Sequence, residues 1–201
     1  MKTKKLLIAT NNKGKVKELQ DLLKDTGLEI LTPADINLNL EVEEDGTTYA
    51  ENAAKKAVAF AHASELVSLA DDSGLEVDAL NGAPGLYSAR YHPKSGAVDS
   101  DRRAYMLENL KDKPVPWAAH FHAAIAIAIP DNDVQVVEGN CFGEIIPEER
   151  GDNGFGYDPI FLFPELNKTM AELDLYEKNR LSHRAKAVMN AIPVLKKIFG
   201  L

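Results

Sequence analysis

Lys5-Leu6-Leu7-Ile8-Ala9-Thr10-Asn11-Asn12-Lys13-Gly14-Lys15-Val16 is the stretch on which the fold turns. Lys5 to Ala9 is a short apolar run, the pattern of a buried strand. Thr10 to Gly14 is a turn. The helix predicted to follow puts Val16, Leu19, Leu22 and Leu23 on one face. Thr26-Gly27 stops it, because glycine tolerates the left-handed backbone that commonly ends a helix. Leu28 to Leu31 is the next strand candidate. Strand, turn, helix and strand in this order open an α/β protein.

The rhythm repeats downstream. Ala34 to Gly46 is irregular and acidic, with Glu41, Glu43, Glu44 and Asp45 close together. Thr48 and Glu51 then form an S/T-x-x-E capping box. The alanine-rich helix it starts runs to about Glu65. Leu66 to Ala70 reads as a buried strand that delivers Asp71-Asp72-Ser73-Gly74 at its end. Leu75 to Leu80 reads as another strand, with Asn81-Gly82 as a tight turn and Pro84-Gly85 as a second. Asp99 to Leu110 is predicted helical, capped by Asp99 or Ser100.

After that, strands cluster. Ala118 to Ile129 alternates, with Phe121, Ala123, Ile125, Ile127 and Ile129 on one face. Val134 to Glu138 follows the Asp131-Asn132-Asp133 turn as a hairpin partner. Glu148 to Gly156 is a glycine-rich loop, and Tyr157 to Phe163 is expected to be extended. A last helix starts near Ser182, with Ala185, Val188 and Ile192 in a stripe. Pro193 is expected to break it and leave a short helix to Phe199. Alternation followed by clustered strands predicts an α/β fold with a mixed sheet. Without a repeat or linker, residues 1–201 read as a single domain.

Composition bounds the partners. Of the 201 residues, 45% are hydrophobic, enough to build a core and to set disorder aside. A net charge of -8 excludes wholesale binding to a nucleic-acid backbone, which needs a basic face. A small anionic ligand would need locally concentrated positive charge or a metal. The single cysteine, Cys141, excludes an intramolecular disulfide and reads as a small packing residue. After Met1-Lys2-Thr3-Lys4-Lys5, the Leu6–Ala9 run is too short for a signal-peptide core. No stretch reaches the ~18 apolar residues of a membrane span, so a cytoplasmic protein is expected.

Four segments can carry chemistry. The Thr10–Lys15 turn opens a helix, where free amides and the positive dipole end attract phosphate. Lys13 and Lys15 add charge there, and Thr10 and Asn12 add donors, although P-loop spacing is absent. By itself this turn reads equally well as a solvated lysine-rich loop. Asp71-Asp72 pairs two carboxylates that repel unless a cation relieves them. Magnesium takes one or two carboxylates plus phosphates and water, and the acidic segment offers more oxygens. A turn whose aspartates cap backbone amides is the plainer reading.

The third segment is Gly154-Phe155-Gly156-Tyr157-Asp158-Pro159, whose aromatics suit a stacked base or simple burial. The fourth is Lys178 with Ser182-His183-Arg184. Ser182 is a good N-cap, which places two basic groups where a helix dipole disfavours cations. Donors gathered there fit a 6-oxo purine, which presents an acceptor where adenine presents an amino donor. Pairing with acidic neighbours such as Glu177 is the alternative. His120-x-His122 lies on one strand face but lacks an evident third zinc ligand and reads as structural.

In their order along the chain these segments resemble the Ham1/RdgB family of inosine triphosphate pyrophosphatases. The resemblance is carried by Ala9 to Lys15 with Glu18, by Glu51-Asn52-Ala53 with Lys56-Ala57, and by Ala70 to Leu75. It continues through Gly82 to Gly85, Ser88 to Tyr91, Gly154 to Pro159 and Ser182 to Arg184. It departs at Asn11, where the family often has glycine, and His92-Pro93-Lys94 is not a fixed family string. The resemblance implies an elongated mixed sheet flanked by helices, with a nucleotide cleft between two lobes, and a homodimer. It implies that Thr10, Asn11, Asn12, Lys13, Gly14 and Lys15 hold phosphates and that Asp72 is the catalytic carboxylate. It also implies substrate contact for Ser73, and base and sugar contacts for Phe155, Gly156, Tyr157 and Asp158. Lys178, His183 and Arg184 would recognise the 6-oxo purine, and Arg90 would sit near phosphate. Mg2+ would be held by Asp72 and the Glu43-Glu44 region, with Glu43 taken as the metal ligand. The expected reaction converts ITP, dITP or XTP to the monophosphate and pyrophosphate. A Maf-type pyrophosphatase acting on pyrimidine or modified nucleotides, or a non-catalytic nucleotide sensor, are the alternatives.

Overall fold

β1 (Lys5–Ile8) lies parallel to two strands, β2 (Glu29–Leu31) and β3 (Val67–Val77). Parallel neighbours need a crossover, and the two early helices supply it. α1 (Lys13–Leu23) joins β1 to β2, and α2 (Tyr49–Ser64) lies between β2 and β3. The later strands are β4 (Trp117–Ala128), β5 (Val134–Ile145), β6 (Phe161–Phe163) and β7 (Lys168–Thr169). The sheet runs β2-β1-β3-β4-β5-β6-β7, and β5–β6 and β6–β7 are antiparallel. It is the mixed, open α/β sheet the sequence predicts. This computed structural model describes residues 4–201; Met1 to Thr3, the start of the N-terminal stretch read above, lie outside the described residues. No helix among the described residues is long and apolar enough to cross a membrane.

Local signals account for the helix ends. The Asn12 side chain accepts from the Gly14 and Lys15 amides and starts α1. A 3-10 turn, Lys24–Thr26, and Gly27 at φ 74° end it. Thr48 caps α2 through the Glu51 amide, and Glu65 closes it at φ 56°. α3 (Asp99–Leu110) is found where expected, but neither Asp99 nor Ser100 caps it. The cap position is Val98, whose amide donates to Asp101 at 3.1 Å.

The described chain divides into two compact units. The first holds the residues up to Asp72, 123–139 and 184–201; the second holds 73–122 and 140–183. In the first, Leu6, Ile8, Leu19 and Leu69 pack with Ile125 and Ile127 of β4 and with Val188 and Leu195 of α5 (His183–Phe199). In the second, Leu75, Met106, Leu110, Phe121, Ile145 and Phe161 form the core. The Phe121 and Phe161 rings sit 4.8 Å apart. Each core thus gathers residues from distant parts of the chain, and full burial of one such side chain is worth roughly 1.5–3 kcal/mol.

Four expectations are corrected. β3 is one strand of 11 residues, so the Asp71–Gly74 segment lies in mid-strand and Leu75 does not begin a new element. Asp158–Ile160 is a 3-10 turn, so only Phe161–Phe163 of the expected extended segment is strand. α5 continues through Pro193 to Phe199. Pro193 is on the exposed face, as is Met189 one turn earlier, where a carbonyl left without its partner can be hydrated. α4 (Leu175–Leu181) was not anticipated, although Asp174 and Glu177 form a reciprocal capping box.

Candidate active site

The mid-strand position of Asp71 and Asp72 resolves their repulsion. Successive side chains of a strand point to opposite faces, so the two carboxylates are presented to different surroundings. Asp71 is fully buried and pairs with Lys15 and Arg184. Arg184 donates to it through Nε at 3.2 Å and Nη2 at 3.4 Å, and through Nη1 to Glu18 at 2.5 Å. Burial by itself would raise the Asp71 carboxyl; Arg184, then Lys15 and Lys56, override it and hold the group far below the usual range. Burial lowers the Lys15 ammonium, with Asp71 opposing. The cluster is therefore ionic, desolvated and internally paired. The sequence reading puts Arg184 among the base-recognising donors; the structure commits its guanidinium to Asp71 and Glu18. These two carboxylates, not Glu177, answer the cation at the start of α5. Glu177 instead pairs with Lys168 at 3.0 Å.

On Asp72's side stands Lys56 of α2. Its Nζ lies 2.7 Å from Glu44 Oε1, 3.3 Å from Asp72 Oδ1 and 2.8 Å from the Asp71 carbonyl. Burial opposes the Lys56 charge, but Asp72 and then Glu44 outweigh it and raise the ammonium above its ordinary value. Burial pushes the Asp72 carboxyl up, with the lysines opposing and Glu44 and Asp71 assisting. Asn52, one turn before Lys56, accepts from the Gly46 amide at 2.8 Å. One face of α2 thus holds the acidic segment at two points, and helical spacing of Asn52 and Lys56 was the signal available in the sequence.

This pair tests the expected metal. Asp72 and Glu44 converge on one cation, an ammonium, and both offer hard oxygen donors. Glu43 is exposed, whereas Glu44 is half-buried. No group of three or more His, Cys, Asp or Glu suited to a metal occurs among the described residues. Two carboxylates on one cation are a donor set that a cation completing its shell with phosphate oxygens and water, such as magnesium, can use.

The phosphate turn differs from its simplest reading. Asn12 Oδ1 takes the Gly14 and Lys15 amides at 2.9 and 3.1 Å, and Thr10 Oγ1 takes the Asn12 amide at 3.2 Å. Those amides are satisfied by side chains. Lys15 turns inward to Asp71, while Asn11 and Lys13 are exposed. Asn11 is not among the residues with positive φ, so this backbone does not require the family's glycine.

In the second unit, Gly154 and Gly156 adopt φ 75° and 63°. A Cβ on Gly154 would stand 1.9 Å from Asp158 Oδ2, so only glycine fits. Asp158 Oδ2 accepts from the Phe155 amide at 2.8 Å and from Lys178 Nζ at 2.5 Å. The Lys178 ammonium also lies 5.0 Å from the centroid of the half-buried Phe155 ring. Tyr157 is buried, and its hydroxyl donates to the Ser88 carbonyl at 2.9 Å, a bracing contact. Burial pushes that phenol up. His183 is buried against Phe121, ring on ring at 4.6 Å. Ser182 is the residue that ends α4 and precedes α5. Ser73 is half-buried in β3, and Arg90 is exposed over the Tyr87 ring at 5.1 Å.

The Ham1 family profile matches residues 6–194. This chain belongs to the Ham1 family. A relative from Desulforamulus reducens called dITP/XTP pyrophosphatase is 47% identical, with 97% of each chain covered. One of the same name from Bacillus subtilis is 42% identical over 96% of this chain and 98% of its own. Among solved structures, a HAM1 protein from Coxiella burnetii superposes with a TM-score of 0.86 at 39% identity, covering 97% of this chain and 100% of its own. The Ham1 protein of Staphylococcus aureus gives 0.83 at 39% identity, covering 96% and 99%.

Proposed function

We propose that this Ham1-family chain is a magnesium-dependent pyrophosphatase that converts ITP, dITP and XTP to the monophosphate and pyrophosphate. The observation that carries the reading is the convergence of Asp72 and Glu44 on one cation, in the unit whose strand–turn–helix segment exposes Lys13. The names of the relatives, dITP/XTP pyrophosphatase, support the substrate class.

Each residue then has a task. Asp72 orients and deprotonates the attacking water; its buried carboxyl is a better base than a solvated one. Asp72 and Glu44 are the groups that would hold Mg2+, in place of the Glu43 first expected. When bound, the ion supplies Lewis-acid neutralisation of charge on the phosphates. Lys13 and the Thr10–Gly14 turn receive the phosphates, and Lys56 balances the carboxylates. Arg184 and Glu18 keep Asp71 in place, and Asp71 holds Lys15. Phe155 stacks the base, and Asp158 with Gly156 shapes its loop. Lys178 and His183 read the 6-oxo group. Ser73 contacts substrate, and Tyr157 braces the loop from below. The working form is proposed to be a cytoplasmic homodimer.

The test is pyrophosphate release from ITP, dITP, XTP, GTP and ATP, with and without Mg2+. Release from ITP and XTP only with Mg2+, with ATP nearly inert, is expected. Asp72→Asn should cost 10²–10⁴-fold in turnover, the range for a lost general base, while circular dichroism shows an intact fold. Near-normal turnover in that variant would remove Asp72 from the mechanism.

A further inference from the structure

Cys141 is buried on β5 at 1% exposure, and its Sγ lies 3.8 Å from Nδ1 of His183. The His183 ring is itself buried and nearly parallel to Phe121, with 12° between planes. Stacking fixes the plane of the imidazole. Within that plane, a half-turn of the ring would set a carbon against the sulfur, so the Cys141 contact selects one of the two orientations.

The contact also selects a tautomer. A thiol carries one proton and is a weak acceptor, whereas an unprotonated imidazole nitrogen is a good one. The favourable pairing is therefore S–H donating to Nδ1. In the neutral ring one nitrogen accepts and the other donates. Nε2 is then a fixed donor. Oxygen at C6 of hypoxanthine or xanthine accepts from it, whereas the amino group of adenine opposes it with another donor.

We propose that Cys141 is a positioning residue that holds His183 as the Nε2–H tautomer, and that this tautomer favours 6-oxo over 6-amino purines. The inference rests on the functional reading above for the role of His183. Cys141 touches no substrate; it acts through the ring. Sequence reading treated it as packing, because a lone cysteine carries no spacing signal.

The experiment has two independent readouts. Two-bond ¹H–¹⁵N spectra of histidine-labelled protein without nucleotide report the tautomer, with the His183 signals identified by their loss in His183→Gln. Wild type and Cys141→Ser, which keeps a single hydroxyl donor, should show protonated Nε2; Cys141→Ala should show a mixture. The ratio of kcat/KM for ITP over ATP should fall roughly tenfold in Cys141→Ala, mainly through KM for ITP, and recover in Cys141→Ser. A wild-type Nδ1–H tautomer overturns the proposal, as does an unchanged ratio in Cys141→Ala. Should Cys141→Ala not fold, the wild-type spectrum and Cys141→Ser still decide. Wild-type protein that cleaves ITP no faster than ATP would overturn the base-reading role of His183, and with it the selectivity, while the substrate-free spectrum would still decide the tautomer by itself.

Discussion

Arg184 shows how much one side chain can hold in place. It is 2% exposed and is bonded to Asp71 and Glu18, both buried. Replacing it with an apolar residue strands two carboxylates without their guanidinium. Breaking a buried pair in this way typically costs about 3–5 kcal/mol. Arg184→Met should therefore lower the melting midpoint by roughly 10 °C for a chain of this size. The pH dependence follows from Asp71. Its folded carboxyl titrates below the unfolded value of about 3.9, so its contribution is complete above that value and is lost as pH falls through it and beyond. Wild-type melting should drop between pH 5 and pH 3, and the drop should be shallower in Arg184→Met, measured by differential scanning calorimetry. Equal slopes would mean that Arg184 is not what holds Asp71 ionised. At this scale the sequence shows which residues matter better than what they touch. Asp72 and Lys178 stand out in it. Glu18, 166 positions from its partner Arg184, carries no local signal of the pairing.

The helix α3 acts on the Gly154–Asp158 loop through a single residue. Asp99 Oδ2 accepts from the Gly156 amide at 2.8 Å, and Arg103 Nη1 donates to the Gly156 carbonyl at 2.8 Å. Arg103 is anchored in turn by Glu149 through Nε and Nη2, both at 2.8 Å. Gly156 sits in a left-handed conformation, and this clamp holds its backbone next to Phe155. Arg103→Ala should raise KM for ITP about five- to tenfold, the loss of one or two charge-assisted hydrogen bonds, with a smaller change in kcat. An unaltered KM in steady-state assays would show that the loop holds itself. Elements were legible where one period dominated. α1 and β4 follow from spacing, α2 from its Thr48–Glu51 capping box, and the start of α5 from Ser182 and the stripe after it. β3 was cut in two because Asp71-Asp72-Ser73-Gly74 has the composition of a turn, and only its partners Lys15, Lys56 and Arg184 make it a strand. α4 was hidden because seven residues are too few to show a stripe.

For the molecule as a whole, charge and exposure argue about partners. A net charge of -8 disfavours nucleic acid, yet it does not stop a nucleotide from binding where Lys13 faces solvent and carboxylates gather a cation. The second unit also exposes a large ring in mid-strand. Phe142 of β5 is 70% exposed, with His120 of β4 stacked on it at 5.4 Å and Glu76 of β3 3.5 Å from His120. A phenyl ring left in water on a sheet face forgoes the roughly 1.5–3 kcal/mol that burial would return. An isologous contact presents the same patch from both copies, so one ring gains burial twice in a homodimer. If this face forms the proposed homodimer, light scattering behind a sizing column should give twice 22.0 kDa, about 44 kDa. Phe142→Glu puts like charges across the two-fold axis and should give the 22.0 kDa species. A dimer that survives Phe142→Glu would place the interface elsewhere, and a monomeric wild type would remove the dimer from the functional reading without touching the chemistry of Asp72.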